Sequence, residues 1–340
     1  MDPANYKDLV NSRGYKYHYY AVPAKGDNLT LVFVHGFPNT SRAWRLVAPF
    51  FEEKGYGVIV PDMLAYGGSD KPTDYNEYQF SLLNKDIVDL LDAEGVKQAV
   101  AVGHDWGAGI VSRLPNFFPD RFVGYAFLNV PWQAPNPDFN MEELNELTKA
   151  LAGYEVYGYW YFFSEEGADK ILEDHIESLM CALFPKVPHA FLARGELKES
   201  LLSDLKRPLG DFLNEEEQRY FVDTFRKGGF AAPLCYYKIM VNNARGADDA
   251  TAFSTAIPDS QLLPPVSSPL FFGAALKDSV CIAAVGKAAM AKLADHNVTI
   301  KDFDGGHWLL EYPETAEAIR TELHAWLETV VSPTVKTSAV

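Results

Sequence analysis

The stretch AVGHDWGAG, residues 101–109, decides how the whole chain is interpreted. It follows a short β-branched run and precedes residues of helical character, so we expect a tight strand–turn–helix here. Gly103 and Gly107 flank the middle position with the spacing G-x-S-x-G, which is typical of a turn that forces the central side chain outward. The central residue is Asp105 instead of serine. The stretch therefore predicts either a carboxylate nucleophile or a helix-capping aspartate.

Short apolar runs bounded by turn residues recur on both sides of this turn. Runs of this kind predict strands that are buried on both faces of a sheet. Helical periodicity between most of them predicts an α/β fold with a mostly parallel, doubly wound sheet. The predicted strands are KYHYYAV (16–22), LTLVFVHG (29–36), YGVIVPD (56–62), QAVAVGHD (98–105), FVGYAFLNV (122–130), PLFFGAAL (269–276) and VTIKDFDGG (298–306).

Two of the intervening helices have recognisable ends. Residues 81–95 carry apolar positions every three or four residues, with Ser81 as the expected N-cap and Gly95 at the C-terminal end. Residues 313–330 form the other helical pattern, and Pro313 suits its first turn.

The alternation of strands and helices breaks between about residues 133 and 250. This stretch contains helical patterns and no convincing strand, so we expect a helical insertion at 133–250 within a core domain formed by 1–132 and 251–340. We further expect the insertion to act as a lid over an active site at the strand ends. Its helical patterns lie at 139–153, 168–184 and 214–229, its Pro-rich entry at 129–139 and its exit at 242–269.

Composition excludes several kinds of partner. The formal net charge of −16 over 340 residues argues against nucleic acid or an anionic membrane surface. No run of about 18 apolar residues predicts a membrane span, and no secretory signal is recognisable. Cys181, Cys235 and Cys281 are an odd number without metal-ligand spacing, which indicates buried thiols in a reducing compartment such as the cytoplasm. The oligomeric state stays open, and a homo-oligomer is one possibility.

A second motif, FVHGFPN at residues 33–39, ends another predicted strand. A His-Gly pair at such a place typically frames half of an oxyanion hole. The backbone N–H groups of Phe37 and Trp106 are the expected donors. We interpret His35 and His104 as hydrogen-bonding supports, because neither is placed to activate a water molecule behind an ester at residue 105.

The expected base is His307, which lies in a Gly-flanked loop after the last predicted strand. This is where the histidine enters in the chain order nucleophile, acid, histidine. An orienting acid is then expected after the penultimate strand, where Asp278 lies. Asp302 and Asp304 are rivals that would have to fold back to reach the imidazole. Asn129 ends the preceding strand but cannot serve as a carboxylate.

Together these motifs resemble those of the epoxide hydrolases of the α/β-hydrolase fold. HGFP, GHDWG and GGHW match that family's signatures, and PDMLAYGGSDKP at residues 61–72 is similar to its D-x-x-G-Y-G-x-S-D-x-P loop. Ala65 stands where a glycine is usual, which affects turn geometry only. The resemblance covers about residues 15–330. It implies hydrolysis of an apolar epoxide to a vicinal diol with no cofactor and no metal.

In that family two lid tyrosines hold the epoxide oxygen, and the resemblance implies which tyrosines correspond. The segment GGFAAPLCYYKIMVNN maps the second of them to Tyr237 rather than Tyr236, and YGYWYFFSEEG maps the first to Tyr159. Three other tyrosines crowd the latter stretch: Tyr154, Tyr157 and Tyr161.

The implied chemistry explains why an aspartate replaces serine. Asp105 attacks a ring carbon while Tyr159 and Tyr237 protonate the oxygen. A serine would leave a stable ether, whereas a carboxylate leaves an ester that water can cleave. His307, oriented by Asp278, activates that water.

Other functions compete with this interpretation. A haloalkane dehalogenase would use the same triad of side chains, with the indole of Trp106 as a halide donor, but would give two lid phenols no role. A small-ligand receptor of the hydrolase fold is the alternative from another class. A serine esterase is excluded, because Asp105 occupies the nucleophile position and Ser112 lies well into the next helix.

Overall fold

The computed structural model describes residues 1–186, 191–253, 262–293 and 295–338. Residues 254–261, part of the predicted exit segment, lie outside the described residues. Within the described ranges eight strands form one sheet, and their bounds are β1 Tyr6–Val10, β2 Lys16–Val22, β3 Thr30–Val34, β4 Gly57–Pro61, β5 Ala99–His104, β6 Phe122–Leu128, β7 Leu270–Ala275 and β8 Val298–Phe303.

The strand order is β1-β2-β4-β3-β5-β6-β7-β8. The pairs β1–β2 and β2–β4 are antiparallel, and every later pair is parallel. The predicted mostly parallel α/β fold is therefore confirmed. Each of the seven predicted runs contains one of the strands β2 to β8. The sequence did not reveal β1, whose side chains are exposed or half-buried and so form no apolar run.

Helices cover the sheet and form most of the region between β6 and β7. The α-helices are α1 Ala48–Glu53, α2 Phe80–Ala93, α3 Trp106–Val111, α4 Leu114–Phe117, α5 Met141–Ala152, α6 Tyr159–Ser164, α7 Ala168–Asp174, α8 Ile176–Leu183, α9 Glu196–Leu202, α10 Glu215–Gly228, α11 Cys235–Val241, α12 Ala244–Phe253, α13 Ala283–Ala291, α14 Pro313–Trp326 and α15 Ser332–Ser338. Short 3-10 helices span Pro3–Asn5, Ser41–Trp44, Tyr75–Tyr78 and Pro119–Arg121, and a π-helical turn spans Leu327–Val331. Among the described residues, none of these helices combines the length and hydropathy that crossing a membrane requires.

The predicted N-cap at Ser81 is wrong, because α2 begins one residue earlier, at Phe80. The backbone N–H and the hydroxyl of Ser81 both donate to the carboxylate of Asp248, at 3.1 and 2.5 Å. A carboxylate distant in sequence thus satisfies this helix start. Pro313 does open α14, as predicted.

The predicted helical pattern at 168–184 is interrupted in the structure. His175 leaves the helical backbone conformation between α7 and α8. Its Nδ1 lies 2.7 Å from a carboxylate oxygen of Asp204.

The chain divides into two compact units, which we call the sheet unit and the helical unit. The sheet unit comprises residues 1–70, 80–136 and 248–340. Its core contains large apolar side chains from the strands and the covering helices, among them Phe33, Trp44, Phe51, Phe271 and Trp326.

The helical unit comprises residues 71–79 and 137–247. Its described part contains α5 to α11, the start of α12 and the whole short 3-10 helix Tyr75–Tyr78. No named strand occurs there, and the β-type pairing in it is one isolated antiparallel bridge between Pro185 and Leu209.

A fully buried ion pair lies where the chain leaves and re-enters the sheet unit. Arg113 donates to both carboxylate oxygens of Asp249, at 2.6 and 3.0 Å. The same guanidinium donates to the carbonyls of Gln133 and Ala134, at 2.5 and 3.1 Å. Asp249 also accepts the backbone N–H of Asn136. Because every partner is hydrogen-bonded, the cost of burying both charges is offset.

Candidate active site

The turn between β5 and α3 holds Asp105 in a backbone conformation that non-glycine residues rarely adopt, with φ 54° and ψ −125°. The flanking glycines permit this turn because other backbone atoms lie too close to their Cα atoms to leave room for a side chain. A Cβ on Gly103 would lie 2.5 Å from the carbonyl oxygen of Gly107, and a Cβ on Gly107 would overlap the carbonyl of Val34. The spacing of Gly103 and Gly107 around Asp105 therefore reflects tight packing of this turn against the end of β3.

The carboxylate of Asp105 contacts the two backbone amides that the sequence predicts for an oxyanion hole. The N–H of Phe37 donates to Oδ1 at 2.9 Å, and the N–H of Trp106 also hydrogen-bonds the carboxylate. A Cβ on Gly36 would overlap Oδ1, so this position requires glycine. Burial raises the pKa of Asp105, and the charge of His307 and the two amides only partly oppose that effect.

His307 lies between two carboxylates. Its Nδ1 is 2.9 Å from Oδ2 of Asp278, and its Nε2 is 3.5 Å from Oδ2 of Asp105. Burial lowers the pKa of His307. The charge and hydrogen bond of Asp278, with the charge of Asp105, outweigh burial and raise that pKa to about 9. The structure thus brings the predicted nucleophile, base and acid into one line of contacts.

Asp278 keeps its negative charge although it is buried. Burial, the largest effect, raises its pKa, but the neighbouring donors lower it below its ordinary value. Oδ1 accepts the backbone N–H groups of Val280 and Cys281 at 2.8 and 3.0 Å, and Oδ2 accepts donors from His307 and Asn129. Four donors around one carboxylate stabilise its ionised form.

The two rival acids point elsewhere. Asp302 pairs with Lys287 at 2.5 Å and Asp304 pairs with Lys277 at 2.7 Å. Both carboxylates are largely exposed, with side-chain exposures of 49% and 76%. Neither is brought to the imidazole.

Sequence reasoning missed the contribution of Asn129. This residue follows β6, has φ 66° and is buried. Its Nδ2 donates to Oδ2 of Asp278 at 2.6 Å and lies 3.3 Å from the carbonyl oxygen of His307. The sequence did contain a signal: Asn129 is a polar residue directly after β6, and β6 neighbours β7, the strand that precedes Asp278.

His35 and His104 are buried beside the site. The Nε2 of His104 donates to the carbonyl oxygen of His307 at 3.0 Å, and burial lowers the pKa of His104 to about 3, which keeps it neutral. His35 accepts the N–H of Met63 and donates to the carbonyl of Gly36, both at 2.9 Å. These contacts hold the backbone of the loop that carries His307 and of the loop that carries the amide of Phe37.

The predicted phenols lie in the helical unit. Tyr159 begins α6 and Tyr237 lies on α11, both are buried, and their ring centroids are 5.9 Å apart. Phe163 packs against both rings, at 5.3 and 4.7 Å. Tyr236 instead packs against Tyr78 at 5.1 Å. Of the crowding tyrosines, Tyr161 directs its hydroxyl to the carboxylate of Glu142 at 2.5 Å.

One further reactive group adjoins the site. The thiol of Cys281, a ring nitrogen of His307 and a carboxylate oxygen of Asp278 lie within 4.8 Å of one another. Within the described residues, no other trio of histidine, cysteine and acidic side chains is arranged to hold a metal ion. All three cysteines are buried and free.

Comparison with known proteins gives consistent similarities. The α/β-hydrolase fold family matches residues 30–313. Bifunctional epoxide hydrolase 2 of Sus scrofa is 31% identical over 223 residues, which is 64% of this chain and 39% of that protein. Epoxide hydrolase 2 of Siraitia grosvenorii is 30% identical over 67% of this chain and 71% of that protein. Epoxide hydrolase A of Mycobacterium tuberculosis is 27% identical over 88% and 91%.

Solved structures give the same picture. Epoxide hydrolase A from Mycobacterium thermoresistibile superposes with a TM-score of 0.76 and 26% identity over 96% of this chain and 98% of that one. Epoxide hydrolase VrEH1 from Vigna radiata gives a TM-score of 0.72 and 25% identity over 95% and 97%. The chain spans about two fifths of the length of the first mammalian relatives it matches.

Proposed function

This chain belongs to the α/β-hydrolase fold family, and from that premise we propose that it is an epoxide hydrolase, which adds water to an apolar epoxide and releases a vicinal diol. One observation carries the proposal: a carboxylate, not a hydroxyl, occupies the turn between β5 and α3. The amides of Phe37 and Trp106 donate to this carboxylate, and the imidazole of His307 lies beside Oδ2. The relatives named epoxide hydrolases support the same activity. No cofactor is needed for this chemistry.

In the first proposed step Asp105 attacks a ring carbon through Oδ2. The carbon–oxygen bond of the ring breaks, and the phenol of Tyr159 or Tyr237 gives its proton to the developing alkoxide. A phenol suits this task because its pKa near 10 keeps it protonated at neutral pH, yet makes it far more acidic than an alcohol. Oδ1 already accepts the N–H of Phe37, so it becomes the ester carbonyl oxygen in a place prepared for negative charge.

In the second step His307 takes a proton from water, which attacks the ester carbon. The charge on Oδ1 is then stabilised by the amides of Phe37 and Trp106. Collapse of this intermediate breaks the ester and returns the proton from the imidazole to the departing diol oxygen. The carboxylic acid formed at Asp105 then loses its proton, and the tyrosinate left by the first step takes up a proton to become a phenol again.

We propose that residues 133–250 form the lid domain and that residues 1–132 and 251–340 form the core domain. The aromatic packing around the two phenols supports an apolar substrate, because Phe163 and Trp160 contact the ring of Tyr237 at 4.7 and 5.7 Å. We also propose a reducing location such as the cytoplasm, which the three free, buried thiols support.

The activity is tested by incubating the purified protein with styrene oxide and with 1-bromobutane and measuring diol and bromide separately. Diol without bromide is the expected result. Bromide without diol identifies a haloalkane dehalogenase, and binding without either product identifies a ligand receptor.

The covalent step is tested with the variant His307→Gln, which keeps the nucleophile but removes the base. Under single-turnover conditions its mass should increase by one substrate, and the adduct should map to Asp105. The matched control His307→Gln with Asp105→Asn should show no increase. A folded His307→Gln protein that never carries an adduct contradicts the two-step scheme.

A further inference from the structure

The proposed reaction leaves the thiol of Cys281 without a role. This residue lies three positions after Asp278, in the turn that follows β7, and is buried. Its backbone N–H donates to Asp278, and its sulfur lies within 4.8 Å of both the acid and the ring of His307. A thiol therefore lies against the two groups that would activate water.

Thiolate, imidazole and carboxylate together are a ligand set for a soft or borderline divalent cation. Zn²⁺ commonly takes three such protein ligands and keeps a water in the fourth position. Sulfur favours Zn²⁺ and its softer relatives over Mg²⁺ and Ca²⁺. Metal–ligand bonds of about 2.0 to 2.3 Å place the ligand atoms roughly 3 to 4 Å apart, so side-chain movements of about 1 Å would close this trio around an ion.

We propose that Cys281, His307 and Asp278 form an inhibitory binding site for a divalent cation of the Zn²⁺ or Cd²⁺ class. The ion takes the place of the proton between Nδ1 of His307 and Oδ2 of Asp278, which are 2.9 Å apart. The ion displaces the Nδ1 proton of His307 and the thiol proton of Cys281, both of which are released to solvent, while Nε2 stays protonated. The remaining hydrogen bonds of Asp278, from Asn129, Val280 and Cys281, need not change.

Inhibition follows from where the ion binds. When Nδ1 is bound to the metal, Nε2 carries a proton. It then has no lone pair and cannot accept a proton from water. The ester of Asp105 then forms but is not cleaved. This consequence rests on the proposed function, whereas the binding of the ion does not.

Binding is tested by titrating the full-length protein with Cd²⁺ and following the ultraviolet absorption of the thiolate–cadmium bond. The matched control is Cys235→Ala, which removes another buried thiol, one that contacts the carbonyls of Thr73 and Ala231. Wild type and Cys235→Ala should show a band that saturates at one ion per chain, and Cys281→Ala should show none. A band that persists in Cys281→Ala, or no band in wild type, overturns the proposal.

Inhibition is tested by measuring diol formation with added Zn²⁺ and again after EDTA. Cys281→Ala and Cys281→Ser should keep metal-free activity and need at least about tenfold more Zn²⁺ for half inhibition, because a ligand is missing. The serine side chain is the closest in shape to cysteine, so Cys281→Ser should still fold if Cys281→Ala does not. Equal inhibition of wild type and both variants overturns the proposal. If wild type forms no diol at all, the proposed function fails, and the cadmium titration still decides the site.

Discussion

Replacing Asp278 with asparagine tests the role of the acid at nearly constant size. The asparagine carbonyl can still accept the N–H groups of Val280 and Cys281. Its amide nitrogen then takes the place of Oδ2, which lies 2.9 Å from Nδ1 of His307 and 2.6 Å from Nδ2 of Asn129. The new amide group is a hydrogen-bond donor, and it faces the Nδ1–H of His307 and the Nδ2–H of Asn129, which are also donors. The imidazole relieves this conflict by carrying its proton on Nε2 instead of Nδ1. In that tautomer it presents no lone pair to water.

The magnitude follows from the pKa of His307. Burial lowers this pKa, yet Asp278 and then Asp105 raise it from 6.5 to about 9. The difference corresponds to roughly 3 kcal/mol in favour of the imidazolium, most of it due to Asp278. Because imidazolium forms when water attacks the ester, we expect Asp278→Asn to slow ester cleavage by about a hundredfold or more. Formation of the ester should slow much less, since Asp105 performs it.

The assay is a single turnover with enzyme in excess, quenched at intervals and analysed by mass spectrometry of the intact protein. The ester should accumulate in Asp278→Asn and decay slowly, whereas it should be scarce in wild type. The rival acids supply matched controls: Asp302→Asn and Asp304→Asn remove exposed carboxylates that pair with lysines. Thermal unfolding shows whether each variant is folded at the assay temperature.

Two results would refute this reasoning. In the first, folded Asp278→Asn cleaves the ester at the wild-type rate, so that the charge beside the imidazole is irrelevant. In the second, Asp304→Asn slows cleavage as much as Asp278→Asn does, so that the geometry has identified the wrong acid.

Three other changes give distinct outcomes. Tyr237→Phe removes the phenol but keeps the ring, so ester formation in stopped-flow experiments should slow by about a hundredfold, while the neighbouring control Tyr236→Phe should not change it. Gly36→Ala places a methyl group against the carboxylate of Asp105, the proposed nucleophile, so ester formation should slow about a hundredfold, measured in the same way. Arg113→Ala strands the buried charge of Asp249, so the free energy of unfolding measured in urea should fall by about 3 to 5 kcal/mol, and an unchanged value would contradict the assigned ion pair.

The fold could be predicted because most strands are buried on both faces, which leaves uninterrupted apolar runs in the sequence. The exception is β1, an antiparallel edge strand with exposed side chains, and nothing in its composition separates it from a loop. The prediction of Ser81 as the N-cap of α2 was wrong for a related reason. Ser81 is a good local N-cap, but Asp248, which is 167 residues away, supplies the acceptor instead. Long-range partners cannot be deduced from local propensity.

The candidate site was largely predictable because its groups follow strand ends, and the ends of parallel strands lie along one edge of a sheet. That rule places Asp105, Asp278 and His307 together without any knowledge of side-chain contacts. It does not reveal what Asn129 does, because its contact with Asp278 depends on a positive φ after β6. The full burial of Arg113 was equally hidden, since arginine is almost never fully buried unless it is paired.

The two buried carboxylates differ in a way that orders the proposed reaction. Donors on both oxygens lower the pKa of Asp278, so its charge is permanent, whereas burial raises the pKa of Asp105, whose charge is consumed when the ester forms. In the free enzyme both charges favour a protonated His307. Esterification removes the charge of Asp105, the smaller of the two influences, so the pKa of His307 falls and the imidazole gives up its proton more readily once there is an ester to cleave. The chemistry of the first step therefore prepares the second, and Asp278 alone then orients the base.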